Sequence, residues 1–425
     1  MQKQSLKKIV LSVSLSLCAS VISLAQEVEQ TPMEKTEAKV EEMITSLDEL
    51  KKLKISGYVQ GDVQVGQSDA KLKVGSAKND HENAFVRMGI RRGRVKLSYT
   101  DNLRNIASNA VFQLDMTEKG VSIKDAFVSF TDPWIQWMSV KAGIFDRPFG
   151  NEISYSSSLR ESPERSTGCL TLFPGERDLG AALIIQAPKG NPLNGLKLET
   201  GLFAGNGVNL DNDNRKDWIS HLSYKHSFEN IQFGFGASFY YGNVYQGNDT
   251  IFQMKGKEFL IKHLDGKDKY SQRMYYGADA QLLISTGLGM TNLRIEVIGG
   301  KQPGSANASS SPSSSTLPDG KTYCREFLSF VTYFIQDFGR HSLVLKYDQY
   351  DPNILLAAND VGLNGSSKGD IMKQNIGIGY LFRINANLRL MGYFDWALNE
   401  TSVNLKGYEK DLQDNTFTCR LQYKF

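Results

Sequence analysis

The chain is poor in cysteine and histidine, and past its first two dozen residues it has no long apolar run. Its 425 residues include four cysteines and five histidines, and 40% are hydrophobic. Mean hydropathy is −0.34. Without a run of about eighteen apolar residues beyond the N-terminus, helical membrane spans are excluded. Strand spans are not, because only every second residue of a barrel strand faces lipid and the signal hides in average composition. The cysteines other than Cys18 are Cys169, Cys324 and Cys419, an odd, widely spaced set without a CxxC pair. That argues against a disulfide framework or a zinc site. His81, His221, His226, His263 and His341 show no metal-ligand spacing. No Gly-x-Ser-x-Gly, phosphate-binding loop or dinucleotide fingerprint occurs. We therefore expect no catalytic residues, no metal and no cofactor.

Charge is nearly balanced, at +3 overall. Lys3, Lys7 and Lys8, the apolar stretch Ile9–Leu24, and small residues at Ser23 and Ala25 read as a secretory signal cleaved after Ala25. A lipoprotein signal at Cys18 is the weaker reading, since Leu17 stands where a small residue is expected. Removing Met1–Ala25, with three lysines and no acid, brings the net charge to zero. A chain without global positive charge is a poor nucleic-acid partner.

Residues 26–54 are rich in Glu and Lys, with Val40, Met43, Ile44, Leu47 and Leu50 at helical spacing. This predicts an amphipathic periplasmic helix, either a solvated tether or a short coiled coil between subunits. From Ile55 to Phe425 the pattern changes to period two. Val59, Gly61, Val63 and Val65 alternate with Gln60, Asp62 and Gln64, and the last strand alternates Phe417, Cys419, Leu421, Tyr423 and Phe425 with Thr418, Arg420, Gln422 and Lys424. About sixteen such runs follow one another, near 55–65, 84–101, 105–117, 121–131, 136–145, 179–188, 195–205, 217–226, 231–241, 272–285, 291–301, 323–338, 340–351, 370–383, 386–399 and 415–425. Connections between them alternate long and short, the tight turn at Glu118–Gly120 excepted. That sorting, with aromatic residues near strand ends (Phe130, Trp134 and Trp137; Phe228 and Phe233; Tyr240 and Tyr241; Tyr380 and Phe382), predicts an all-β transmembrane antiparallel barrel of about sixteen strands. The low-complexity stretch Gly304–Pro318 reads as mobile at the cell surface.

The charged stretch Arg87–Lys96 carries Arg87, Arg91, Arg92, Arg94 and Lys96. Val86, Met88 and Ile90 share one parity, whereas Val95, Leu97 and Tyr99 take the other, so a bulge is expected near Arg92–Gly93. Arg facing lipid at mid-membrane costs about 2–4 kcal/mol, which places these cations in the lumen. There they either form an anion path or pair with acids and stiffen the wall. The third connection on the long-loop side, after residue 145, adds Arg147, Arg160, Arg165 and Arg177.

Several strings are similar to one family. Phe145-Asp-Arg-Pro-Phe-Gly-Asn-Glu152, Pro174-Gly-Glu-Arg-Asp-Leu-Gly180, Ser56-Gly-Tyr-Val-Gln60 and Tyr347-Asp-Gln-Tyr-Asp-Pro352 resemble the phosphate-selective porin O and P family, including its Bacteroidetes-type members. The C-terminal Tyr-Lys-Phe resembles the closing signature of bacterial outer-membrane barrels. The resemblance implies a homotrimeric porin in the outer membrane of a Gram-negative cell, with an inward-folded third loop and an arginine-lined channel for small anions such as phosphate. It also implies contact with outer-membrane lipid and assembly through Phe425 by the barrel-assembly machinery. One departure stands out: from Asn151 to Asp178, Arg160, Arg165 and Arg177 face Glu152, Glu161, Glu164, Glu176 and Asp178, a net acidic loop. Acids on that loop opposite arginines on the wall would give the transverse field of a weakly selective diffusion pore. A barrel hydrolase and a surface adhesin are the readings from other classes.

Overall fold

The computed structural model describes residues 39–41, 43, 49–79, 83–103, 106–247, 249–264, 269–313 and 321–425. The signal segment 1–25 and most of 26–54 lie outside these residues. The chain separates into two units, Met1–Leu53 and Lys54–Phe425. In the first, residues 39–41, 43 and 49–52 are helical, and Lys52 pairs with Glu49 one turn away at 2.7 Å.

The second unit is built of strands. In chain order they are β1 (Leu53–Gln67), β2 (Ala84–Leu103), β3 (Ile106–Thr117), β4 (Gly120–Thr131), β5 (Met138–Asp146), β6 (Arg177–Gln186), β7 (Leu196–Phe203), β8 (Asp217–Ser227) and β9 (Ile231–Tyr245). The series continues with β10 (Thr250–Lys255), β11 (Glu258–His263), β12 (Tyr270–Thr286), β13 (Gly289–Gly304), β14 (Thr322–Phe338), β15 (His341–Asp351), β16 (Lys373–Arg383), β17 (Leu388–Asn399) and β18 (Thr416–Lys424). β9 pairs directly with β12, so β10 and β11 form a hairpin outside the ring. The other sixteen close an antiparallel barrel, sealed by β1 against β18. At the seam the Gly57 and Phe425 backbones exchange two hydrogen bonds of 3.0 Å.

The faces are inverted relative to a water-soluble protein. On β1, Val59 is 44% exposed while Gln60 and Asp62 on the other face are 0% and 2% exposed. Polar parity points inward and apolar parity outward around the ring, the pattern that strand alternation dictates when hydrocarbon lies outside. Phe130, Trp134, Phe228, Tyr241 and Tyr380 face outward near strand ends. Tyr240 does not: it is buried inside and its hydroxyl donates to Asp217 at 2.7 Å.

The switch of parity in β2 occurs where the sequence places it. Val86, Met88 and Ile90 are exposed before Gly93, and Leu97 and Tyr99 after it. At Gly93 the amide donates to Asp115 (3.2 Å), and a Cβ there would collide with the Met116 carbonyl. β2 pairs with β3 only from Arg94 onward, because the turn after β3 is short.

Short turns gather at one end of the barrel. That after β4 is shaped by Asp132, whose carboxylate accepts from the amides of Trp134, Ile135, Gln136 and Met138. The long connections cluster at the other end. There β10 joins the end of β14 in parallel, Phe252 stacks on Tyr323 at 4.5 Å, and Leu356, Val361 and Ile371 form a small core with Met254, Leu405 and Tyr408. Of the low-complexity stretch after β13, residues 305–313 turn inward, and 314–318 lie outside the described residues. Ser311 donates its amide to Thr171, and Arg273 donates to the Ser311 hydroxyl at 2.8 Å.

Candidate functional site

The connection from β5 to β6, residues 147–176, folds into the barrel and crosses it. Its apolar side chains decide the docking. Phe149, Ile153, Cys169, Leu172 and Phe173 join wall residues Phe203, Ile219, Tyr240, Tyr275, Ile298, Phe327 and Tyr350 in one buried cluster. Phe173 lies 5.0 Å from Phe149 and 5.7 Å from Tyr275, in the tilted and edge-on geometries aromatic rings favour. A short helix α1 (Thr167–Leu172) is capped by the Ser166 hydroxyl, which accepts from the Cys169 amide. Burial pushes the Cys169 thiol well above its ordinary value.

Polar anchors finish the crossing. The Gly150 amide donates to Ser238 on β9 (2.8 Å), and those of Asn151 and Glu152 donate to Glu296 on β13 (2.8 and 2.9 Å). Thr167 donates to Asp348 on β15 (3.0 Å). At the far wall, Gln60 on β1 and Gln422 on β18 donate to the Ser157 and Ser158 carbonyls (3.0 and 3.1 Å). These bonds tie the loop to the wall at several separate strands, and they satisfy buried backbone groups without water.

The nine cations singled out from sequence divide into groups. Arg87 is tied to the β1–β2 connection through the Ser76 and Ala77 carbonyls (3.1 and 3.0 Å). Arg91 holds Glu164 with two bonds (2.6 and 2.8 Å), and Arg92 reaches the same carboxylate at 2.8 Å. Arg94 pairs with Asp115 at 3.1 Å. Lys96 stands opposite Gln113 on the half-buried wall, with no ion pair among the described residues. Arg147 pairs with Asp178 (3.1 Å), and Arg177 with Asp125 and Glu176 (both 2.9 Å). Arg165 pairs with Glu176 and also donates to the carbonyls of Glu152, Ile153 and Tyr155. Among the described residues the Arg160 side chain, 2% exposed, bonds the Ser162 and Pro163 carbonyls, and its Nη1 has no hydrogen-bond partner.

Eight of the nine are thus fixed by bonds to acids or carbonyls, and the loop acids are the partners of the wall arginines. Burial works against charge on Glu164, yet Arg92, Arg91, Arg160 and Arg420 hold its carboxyl well below the usual carboxylate range. Glu176 is likewise held down against burial by Arg165, Lys124 and Arg177. Sequence reasoning missed the cations on other strands. Arg420 pairs with Asp62 through two bonds (2.7 and 2.8 Å), Arg273 with Asp217 (2.6 Å), Arg325 with Asp370 (2.8 Å) and Arg294 with Glu161. Their inward parity was readable in each strand; their acid partners lie up to 358 positions away and were not.

Two cavities meet at Arg147. The first, about 720 Å³, is bordered by Lys124, Arg147, Arg177 and Asp115, together with the long connections around Asn206 and Ser311. The second, about 500 Å³, reaches the short-turn end at Asn194 and Ser227 and is bordered by Lys141, Arg147, Asp146 and Lys225. Lys141 lies over the faces of Phe127 and Phe145 at 4.5 and 4.2 Å and pairs with Asp146 at 3.4 Å.

No family model matches the chain, and no curated protein matches it. The fold is similar to that of OprB of Pseudomonas putida, at 10% identity over 90% of this chain and 96% of that one, with a TM-score of 0.55. It is similar to OmpF of Salmonella typhi in complex with daunomycin, at 11% identity over 88% and 97%, TM-score 0.53. It is also similar to OmpT, an outer membrane protein of Vibrio cholerae, at 8% identity over 88% and 99% for a form lacking loop L8, TM-score 0.52, and in a trimer form at 0.51. At such identities the likeness is one of fold.

Proposed function

We propose that this chain is a passive outer-membrane porin whose passage, bordered by Lys124, Lys141, Arg147 and Arg177, favours small anions such as phosphate. The observation that carries this is the position of Arg147, shared by the cavity at the long-loop end and the cavity at the short-turn end. The outward apolar face supports a lipid surround. The first cavity sets three cations against Asp115 alone, a local field that attracts anions although the chain as a whole is nearly neutral. Of the nine cations read from sequence, Arg147 and Arg177 border this passage; Arg91, Arg92, Arg160 and Arg165 serve it by holding the loop, and Arg94 pairs with Asp115 on the wall. A homotrimer fits the reading, one similar structure being described in a trimer form. Asp125, Asp146 and Glu176 beside the same cations favour a second reading, a weakly selective diffusion pore.

Planar-bilayer recordings under a salt gradient test both. The expected reversal potential shows anion preference, and Lys141→Glu shifts it towards cations. A preference for cations in the unaltered protein would overturn the anion reading and leave the barrel intact. Absence of any conductance would overturn the porin reading.

A further inference from the structure

The cavity of about 720 Å³ is bordered by more than the inward loop and the cations Lys124, Arg147 and Arg177. Residues 205–209, after β7, and several of residues 305–313, after β13, border it too. Residues 305–313 read Ser-Ala-Asn-Ala-Ser-Ser-Ser-Pro-Ser, without a charge or a side chain larger than asparagine. A run of this composition buries little apolar surface and does not order itself. Here buried arginines hold it.

Arg325 on β14, 1% exposed, donates to the Ser305 and Ala306 carbonyls (2.8 and 2.9 Å) while it pairs with Asp370. A Cβ on Gly369 would stand 2.6 Å from the Ala306 carbonyl, so the connection after β15 lies in backbone contact with the tract. Further along, Ser311 donates its amide to the Thr171 carbonyl of α1 at 2.9 Å, which joins the tract to the inward loop. Arg273 on β12, 2% exposed, donates to the Ser311 hydroxyl (2.8 Å), the Pro312 carbonyl (3.4 Å) and the Gly205 carbonyl. Its other bonds go to Asp217, at 2.6 and 3.1 Å. One guanidinium therefore ties down both connections, because its planar fork presents five donors in set directions. Ser311 and Pro312 are buried, whereas Ala308 and Ser310 are exposed and border the cavity.

We infer that residues 305–313, with 205–209, form a second constriction of the passage, uncharged and positioned by Arg273, which limits the size of the solute while the cations act on its charge. This rests on reading the Arg147 passage as the conducting path. Arg273 is a positioning residue: it borders neither cavity and works through the two connections it holds. A neutral border suits this place. Small side chains let the backbone approach the lumen without closing it. Their hydroxyl and amide groups replace water around a solute without altering the field of Lys124, Arg147 and Arg177.

The test uses the full-length protein in planar bilayers. Ser310→Cys places a thiol on the tract, and a bulky uncharged methanethiosulfonate, its attachment verified by intact mass, should lower single-channel conductance several-fold. The same reagent should leave conductance unchanged in the unaltered protein and in Lys257→Cys, which lies in the turn of the β10–β11 hairpin and borders neither cavity. The double variant Arg273→Gln/Asp217→Asn deletes both charges of the pair. It should raise conductance several-fold and admit larger neutral polyethylene glycols, with the reversal potential unmoved. A merely structural loss would reduce the yield of channels and leave their size limit as it was, and that result overturns the role of Arg273. Conductance indifferent to labelling of Ser310→Cys, or a thiol that stays unlabelled in the folded protein, overturns the second constriction and leaves the porin reading intact. Absence of conductance in the unaltered protein overturns both.

Discussion

At the scale of single residues, Glu164 has the most consequences. It receives Arg91 and Arg92 together, and those guanidiniums would otherwise be uncompensated in a half-buried wall. Glu164→Gln keeps the shape and some of the hydrogen bonds while deleting the charge. It should destabilise the barrel by about 1–3 kcal/mol in urea unfolding from lipid vesicles and move the reversal potential further towards anions. The pH dependence follows in sign. Glu164 and Glu176 are held below their ordinary value of 4.5, so their anchoring is fully present above that pH and is lost as pH falls through the folded values. Single-channel conductance should be constant from about pH 7 to about pH 5 and become larger and noisier only well below pH 4.5, as the pH falls through the lowered values of both acids. A change between pH 7 and 5 would show that other groups hold the loop.

At the scale of elements, the inward loop is a crossing beam that stands on an apolar base. Phe149 contacts Phe173 and Tyr275 and is 1% exposed. Phe149→Ala should cost about 3–5 kcal/mol, the range for emptying a packed aromatic site, with the loss felt first by the loop and read as increased tryptic cleavage after Arg160 and Arg165. β2 shows how one glycine sets an element. Outward residues change parity near Gly93, which lets Arg91 and Arg92 both enter the lumen from neighbouring positions. A similar irregularity sits between β3 and β4, where Gln113 faces Asp125 and Leu114 faces Ile123, leaving Lys124 as the extra residue. It is this residue that lines the 720 Å³ cavity beside Arg177 and pairs with Glu176 at 3.0 Å. The β2 switch could be read in the sequence because a run of apolar residues shifts phase; the β4 one could not, because a single lysine between an isoleucine and an aspartate breaks no pattern.

At the scale of the whole molecule, closure depends on the chain ends meeting. β1 and β18 pair over nine residues from Tyr58↔Lys424 to Gly66↔Thr416, and Phe425 is half exposed at the short-turn end. Deleting Phe425 removes the two backbone bonds to Gly57 and the outward ring. It should leave the barrel able to fold in detergent yet lower its yield in the outer membrane several-fold, as read by heat-modifiable mobility in fractionated membranes. An unchanged yield would show that recognition by the assembly machinery lies elsewhere.

The alternation of side chains determined much of this molecule by itself: sixteen membrane-scale strands, their order, the end at which long connections gather, and which parity faces inward. These are local consequences of a strand's period of two and need no knowledge of neighbours. Which inward charge meets which acid was decided only by the tertiary structure. Closing the barrel brings Asp62 to Arg420 and folds residues 147–176 across the lumen, so that Glu164 covers the arginines that the sequence had left facing open water. Charge pairing falls off within a few ångströms, and distance across a barrel is set by ring closure and not by separation along the chain. For that reason the sequence showed where the cations stand, while the structure separated those that hold the loop from those that line the cavities beside it.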